Sequence, residues 1–257
     1  MRFILTILLS VWCLLASAQE RVKAYRNAVP NSYNFWFCHP EKEGKKGEKH
    51  PLLVFLHGAS LCGSNLDRVK RYGPMDAMRR GRVIDAYVLA PQNSGGSWKP
   101  EKIMKLIEWA EKKFDVDSDR IYVYGMSLGG YGTIDMCATY PDRIAAGMAL
   151  CGGGTVKNLS GLAHMPMWIL HGTADRDVPI SASDRVVAAI KATGDASRLL
   201  YTKLRGVDHG RPARIFYMSQ TYEWLFSHSL KDEGRPVNKK YEITPALMNN
   251  AYKDLRR

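Results

Sequence analysis

Ser127 stands in Gly125-Met126-Ser127-Leu128-Gly129, between an apolar run and a stretch with helical spacing. A serine hydroxyl attacks a carbonyl only if a base takes its proton, so a catalytic serine must stand clear of the backbone where an imidazole can reach it. A Gly-x-Ser-x-Gly turn does this, because residues without Cβ let strand and helix close around a strained serine. The base is read at His209, in Gly206-Val207-Asp208-His209-Gly210, a glycine-flanked loop directly after the last strand-like run and downstream of the serine. A carboxylate at the end of a strand holds such an imidazole in the right tautomer, and Asp175 in His171-Gly172-Thr173-Ala174-Asp175 has that place. Asp177 lies on the same turn, and spacing alone leaves it as the alternative. His57 and His171 read as structural rings. No Cys-x-x-Cys or His-Glu-x-x-His motif occurs, so neither metal catalysis nor a cofactor is expected.

The elements that must position these residues are legible in order. Residues 21–29 and 31–39 read as two strands, and Leu52 to Leu56 is a five-residue apolar run, as expected of a strand buried on both faces. Residues 67–82 are basic and partly helical, and 84–90 form a strand that stops at Pro91. Residues 92–98 read as a flexible loop of small residues closed by Trp98, the candidate wall of an acyl or leaving-group pocket. Gly58 and Met126 are further candidate substrate-binding residues. The spacing of Ile103, Leu106, Ile107 and Ala110 predicts an amphipathic helix over 101–114. Ile121 to Tyr124 leads into the serine turn, and helical spacing from Tyr131 to Tyr140 follows it. Strands are expected at 144–150, 166–170 and 198–204, a helix at 181–193, and one aromatic-rich helix at 212–228. Alternating strands and helices of this kind imply an α/β fold with a mostly parallel central sheet flanked by helices.

The chain has 257 residues, 46% of them hydrophobic, enough for one sizeable core. Residues 1–18 combine Arg2, an apolar run from Ile4 to Leu15 and Ala16-Ser17-Ala18, the pattern of a cleaved secretory signal. The bulky Trp12 before Cys13 argues against a lipoprotein signal. The expected division is signal peptide 1–18, catalytic domain 19–229 and a basic extension 230–257 with a short helix at 245–255. No later segment is long and apolar enough for a bilayer span, so export to the periplasm or medium without stable membrane insertion is expected. Cys38, Cys62, Cys137 and Cys151 show no disulfide-scaffold spacing and read as buried free thiols. The formal charge of +12 is spread over several stretches. That reads as a solvated basic surface, with attraction to acidic glycans or an anionic envelope as the sharper alternative and no nucleic-acid partner.

Leu56-His57-Gly58, the Gly125 to Gly130 turn, His171 to Asp175 with Val178-Pro179, and Asp208-His209-Gly210 together resemble the α/β-hydrolase superfamily. Within it they are similar to compact secreted esterases of the polyhydroxybutyrate-depolymerase-like, feruloyl and acetyl xylan types, and to the prolyl-oligopeptidase catalytic domain. The resemblance covers about residues 30–228 and implies the α/β-hydrolase fold with little or no lid. The order Ser127, Asp175, His209 matches the superfamily's order. The resemblance further implies an oxyanion hole made of the Leu128 backbone N–H and one from Ala59 or Ser60. The implied substrates are small-molecule or glycan esters carrying acetyl or feruloyl groups. A peptidase of the prolyl-oligopeptidase type, an acyltransferase and a binding module on the same scaffold are the rivals.

Overall fold

The structure, a computed structural model, describes residues 21–41, 47–253 and 255. The leader read at 1–18 lies outside the described residues. An eight-stranded sheet is built from β1 (Val22–Tyr25), β2 (Asn34–Cys38), β3 (His50–Leu56), β4 (Tyr87–Gln92), β5 (Val116–Met126), β6 (Ala146–Leu150), β7 (Met167–Gly172) and β8 (Leu199–Leu204). Its order is β1-β2-β4-β3-β5-β6-β7-β8. The β1–β2 and β2–β4 pairs are antiparallel and every other pair is parallel.

Strands β3, β4, β6 and β7 are buried along their whole length and β5 from Ile121 onward, and successive side chains go to opposite faces. Leu53, Phe55, Tyr122, Tyr124, Met148, Trp168 and Leu170 enter one core cluster. Leu52, Val54, Leu56, Ile121, Val123, Met167 and Ile169 enter the other. The second cluster is closed by α2 (Pro100–Lys113), α3 (Leu128–Thr139) and α4 (Ser181–Ala192). The first is closed by α1 (Pro74–Arg79), a 3-10 turn at Arg211–Tyr217 and α5 (Ser219–Phe226). Beyond residue 230 the chain folds back: α6 (Pro245–Asn249) follows, and Val237, Ile243, Met248 and Ala251 are buried in that same cluster.

Some elements differ from the sequence reading. The first two strands are shorter, because Asn27 and Asn31 take positive φ and the Asn27 N–H is captured by Asn34 Oδ1 at 2.7 Å. Strand β4 begins later than expected and runs through Pro91, which lies opposite Phe35 in the antiparallel ladder. The expected helix over 212–228 is broken at Met218, whose ψ is 136°. Side chains take the carbonyls that a continuous helix would use: Arg82 Nη2 donates to Tyr217 O at 2.6 Å and Thr221 Oγ1 to Ile215 O at 2.6 Å.

The break is also held by Asp76, whose buried carboxylate accepts from the Tyr217 hydroxyl at 2.8 Å, from Arg80 Nε at 2.7 Å and from Arg79. Burial pushes this carboxyl up, but the bonds from Arg80, Tyr217 and Arg79 outweigh it and hold the group below the ordinary carboxylate range. A depressed native pKa contributes stability above the unfolded pKa and loses it as pH falls through the native value. Asp76→Ala is therefore expected to lose about 2 kcal/mol at neutral pH. The gap to wild type should close as urea titrations are taken below about pH 4; a gap independent of pH would show that packing, not charge, is what Asp76 supplies.

Candidate active site

Strand β5 ends at Met126 and α3 begins at Leu128, so Ser127 makes the whole turn. Its backbone has φ 57° and ψ −122°, a conformation that non-glycine residues rarely adopt. The turn is clamped by Ser127 N–H donating to Leu150 O at 2.8 Å and by Tyr131 N–H donating to Ser127 O at 3.0 Å. Gly125 is required because a Cβ there would lie 2.4 Å from Leu56 O and 2.6 Å from Gly129 O.

The loops after β7 and β8 meet this turn. His209 Nε2 lies 2.9 Å from Ser127 Oγ, and His209 Nδ1 lies 2.7 Å from Asp175 Oδ2. With Nδ1–H donating to the carboxylate, Nε2 presents its lone pair to the serine hydroxyl, the arrangement a general base needs. The Asp175 side chain is fully buried and that of His209 is 18% exposed. The other Asp175 oxygen accepts from the N–H groups of Asp177 at 3.0 Å and Val178 at 2.9 Å. Burial pushes the Asp175 carboxyl up, but His209 and those backbone N–H groups outweigh it and hold the carboxyl below the ordinary range. Asp177, the alternative in sequence, is exposed and enters this group only through its N–H. His171 sits beneath the acid, with Nε2 2.9 Å from Val178 O and Nδ1 2.7 Å from Ser183 Oγ.

Opposite the imidazole lies the loop after β3. Leu128 is the first residue of α3, and Ala59 and Ser60 open a 3-10 turn at Ala59–Leu61, so their N–H groups have no intrahelical acceptor. A Cβ on Gly58 would come within 3.4 Å of Ser127 Cβ, so the loop abuts the serine. His57 is completely buried: Nδ1–H donates to Gly58 O at 2.8 Å, and Nε2 accepts from Asn93 N–H at 3.0 Å. Burial brings this ring down to about 4, despite the bond to the Gly58 carbonyl, so it is neutral and acts as a spacer.

Two candidate substrate-binding residues are placed elsewhere than sequence reasoning put them. Trp98 is 2% exposed; its Nε1–H donates to His57 O at 3.2 Å and its ring packs edge-on to His57. A ring so enclosed supports the loop after β3 from below and has little open face of its own. Met126 is likewise buried, in the core cluster on the β5 face that carries Tyr124. Nor is the 92–98 loop a free span: Asn93 Nδ2 donates to Gly96 O at 2.9 Å and Asn93 Oδ1 accepts from Gly95 N–H at 3.0 Å.

Two residues near the centre were missed. Tyr72, from the basic stretch before α1, accepts the Gly58 N–H at 2.6 Å. Its only signal is one aromatic among cations, without diagnostic spacing. Tyr72→Phe leaves that buried N–H unpaired, which should lower kcat about tenfold by releasing the loop after β3. Steady-state kinetics would show this, and an unchanged kcat would remove Tyr72 from the site's support. Cys151 follows β6 with φ 48° and lies against Asp175. Burial, with the nearby carboxylate, pushes its thiol up to about 12, so it is a protonated thiol at rest. Cys38, Cys62, Cys137 and Cys151 are all unpaired; Cys62 is partly exposed and the other three are buried.

A model of the prolyl oligopeptidase family matches residues 85–161. Among curated proteins, a probable acetylxylan esterase A of Aspergillus flavus is 40% identical over 69 residues, 27% of this chain and 22% of that protein. A probable acetylxylan esterase A of Aspergillus clavatus is 24% identical over 153 residues, 60% of this chain and 46% of that protein. The chain thus spans less than half the length of these relatives. Among solved structures, a thermostable esterase superposes with a TM-score of 0.70 at 26% identity, covering 82% of this chain and 64% of its own. Sheet order, serine turn and superposition agree: the chain has the α/β-hydrolase fold.

Proposed function

We propose that the chain is an exported serine hydrolase that cleaves carboxylic esters, with acetyl or feruloyl groups on glycans as its substrate class. The observation that carries this reading is the hydrogen-bonded series from Asp175 through His209 to Ser127, facing N–H groups that have no helical acceptor. Ser127 attacks the ester carbonyl as His209 takes its proton. The oxyanion is held by the N–H of Leu128 and one from Ala59 or Ser60, and Asp175 stabilises the imidazolium. His209 then protonates the departing alcohol, and water, deprotonated by the same ring, releases the acid. Export rests on the pattern of residues 1–18.

The named activity of the Aspergillus relatives supports an acetylated glycan. So does the short β6–β7 connection, where residues 151–166 carry a 3-10 turn at Ser160–His164 and leave little room for a lid. The match to a prolyl oligopeptidase model favours a second reading, a peptidase. Turnover of acetylated xylo-oligosaccharide, methyl ferulate, short p-nitrophenyl esters and an aminoacyl-proline amide separates the two. Ester cleavage in excess is expected, and dominant amide cleavage would transfer the chain to the peptidases.

A further inference from the structure

Strands β6, β7 and β8 are neighbours in the sheet, so the loops that follow them emerge side by side. Each brings one metal-ligating side chain to the same point. Cys151 Sγ, an Asp175 carboxylate oxygen and a His209 ring nitrogen all lie within 4.8 Å of one another, the one such group of three among the described residues. Thiolate, carboxylate and imidazole are together the donor set of a borderline-soft divalent cation such as Zn²⁺ or Cd²⁺. We infer that Cys151, Asp175 and His209 form an inhibitory site for a zinc-class cation, bound where a proton now joins His209 to Asp175.

The site is largely formed before any metal arrives. Cys151 N–H donates to Leu170 O at 2.9 Å, which fixes the cysteine to the end of β7. Asp175 is oriented by the Asp177 and Val178 N–H groups on one oxygen, so the other is directed at His209. A tetrahedral cation with bonds of about 2.0–2.3 Å separates its ligands by roughly 3.3–3.8 Å, so a pair at the 4.8 Å limit must close by about 1 Å and the His209–Asp175 pair, at 2.7 Å, must open by about 0.6 Å. His209 is the partly exposed member, on a loop bounded by Gly206 at φ 69° and Gly210, and the adjustment falls there.

The exchange balances without any change of oxidation state. The resting site holds a Cys151 thiol, an Asp175 carboxylate and a neutral His209 with its proton on Nδ1. The cation bonds to Sγ, Oδ2 and Nδ1; the thiol proton leaves to water, and the Nδ1 proton is replaced by one on Nε2. One proton is released per cation. The metal-bound imidazole then presents N–H to Ser127 instead of a lone pair, so it has no site for the serine proton and turnover stops.

Inhibition rests on the ester-hydrolase reading; binding does not, and the test keeps them apart. Cd²⁺ is titrated into wild type, Ser127→Ala, Cys62→Ser and Cys151→Ala, and the ultraviolet thiolate-to-cadmium charge-transfer band is followed. A saturable band is expected in the first three and none in Cys151→Ala. In parallel, Zn²⁺ should inhibit p-nitrophenyl acetate turnover by wild type reversibly with chelator. Half-inhibition of Cys151→Ala should need at least about tenfold more Zn²⁺. Should the alanine variant misfold, Cys151→Ser, whose hydroxyl is a far weaker ligand, takes its place in both arms. A band that persists without Cys151, or equal Zn²⁺ sensitivity of the variant, overturns the proposal. Lack of turnover on every ester with the band present in Ser127→Ala overturns the esterase reading alone.

Discussion

Ser127→Ala is expected to lower kcat for ester hydrolysis by about 10⁴- to 10⁶-fold with little change in melting temperature. The size follows from what the hydroxyl does. Its oxygen is the atom 2.9 Å from His209 Nε2, and without it the imidazole has no proton to take and the acyl group no acceptor. What remains is attack by water within the oxyanion hole, which leaves some rate above the uncatalysed reaction. Stability should be nearly unchanged because the strain at this residue is in its backbone, at φ 57°, and alanine keeps the Cβ that causes it. Fluorophosphonate labelling gives an independent readout, since it reports the activated oxygen itself and requires no guess about substrate. Labelling of wild type and none of the variant is the expected pair. A variant that keeps more than a tenth of wild-type turnover, or still labels, would move the nucleophile elsewhere.

The grouping of the candidate site's side chains is more legible in the sequence than what supports them. The turn around Ser127 and the loop at Asp175 each follow an apolar run that is buried as a parallel strand, the loop at His209 follows the half-buried edge strand β8, and a residue soon after a parallel strand is placed by that strand, whatever happens far away. The structure accordingly brings those three side chains into one hydrogen-bonded series. Where contact depends on chain folded from a distance, sequence carries no signal. Tyr72 reaches Gly58 across a gap of helical turns, and Cys151 meets Asp175 only because β6 and β7 are adjacent. Trp98 shows the opposite error. Its position at a strand end is what a pocket wall would have, yet an indole that donates to a buried carbonyl and fits against Gly132 is more stable in the core. The helix expected over 212–228 fails for a related reason: hydrophobic spacing reports which side is buried, not whether Arg82 will take a carbonyl from the helix.

The largest stability effect should come from a residue that does no chemistry. Gly129 lies in the first turn of α3, where the helix crosses the end of β3, and Leu56 is paired in register with Gly125. A Cβ on Gly129 would sit 1.8 Å from Leu56 O, 2.5 Å from Leu56 C and 2.9 Å from His57 O. These are backbone atoms, so no change of rotamer relieves the overlap, and α3 can make room only by moving away from the sheet. Gly129→Ala is therefore expected to lose about 4 kcal/mol or more, a large part of the 5–15 kcal/mol typical of a whole domain. Moving α3 also moves Leu128 from the carbonyl it is proposed to polarise, so the soluble fraction should turn over ester poorly. Gly210→Ala is the matched control. Its backbone already sits in the ordinary helical region at φ −78° and ψ −34°, and the nearest atom to an added Cβ is Asp208 Oδ1 at 3.9 Å. There the loss of unfolded-chain freedom should leave stability unchanged or raise it by about 0.5 kcal/mol. Urea titrations of the two variants decide the matter. Equal midpoints would mean that the close crossing of helix and strand is not what demands glycine at position 129, and that the serine turn tolerates a looser seat than the geometry implies.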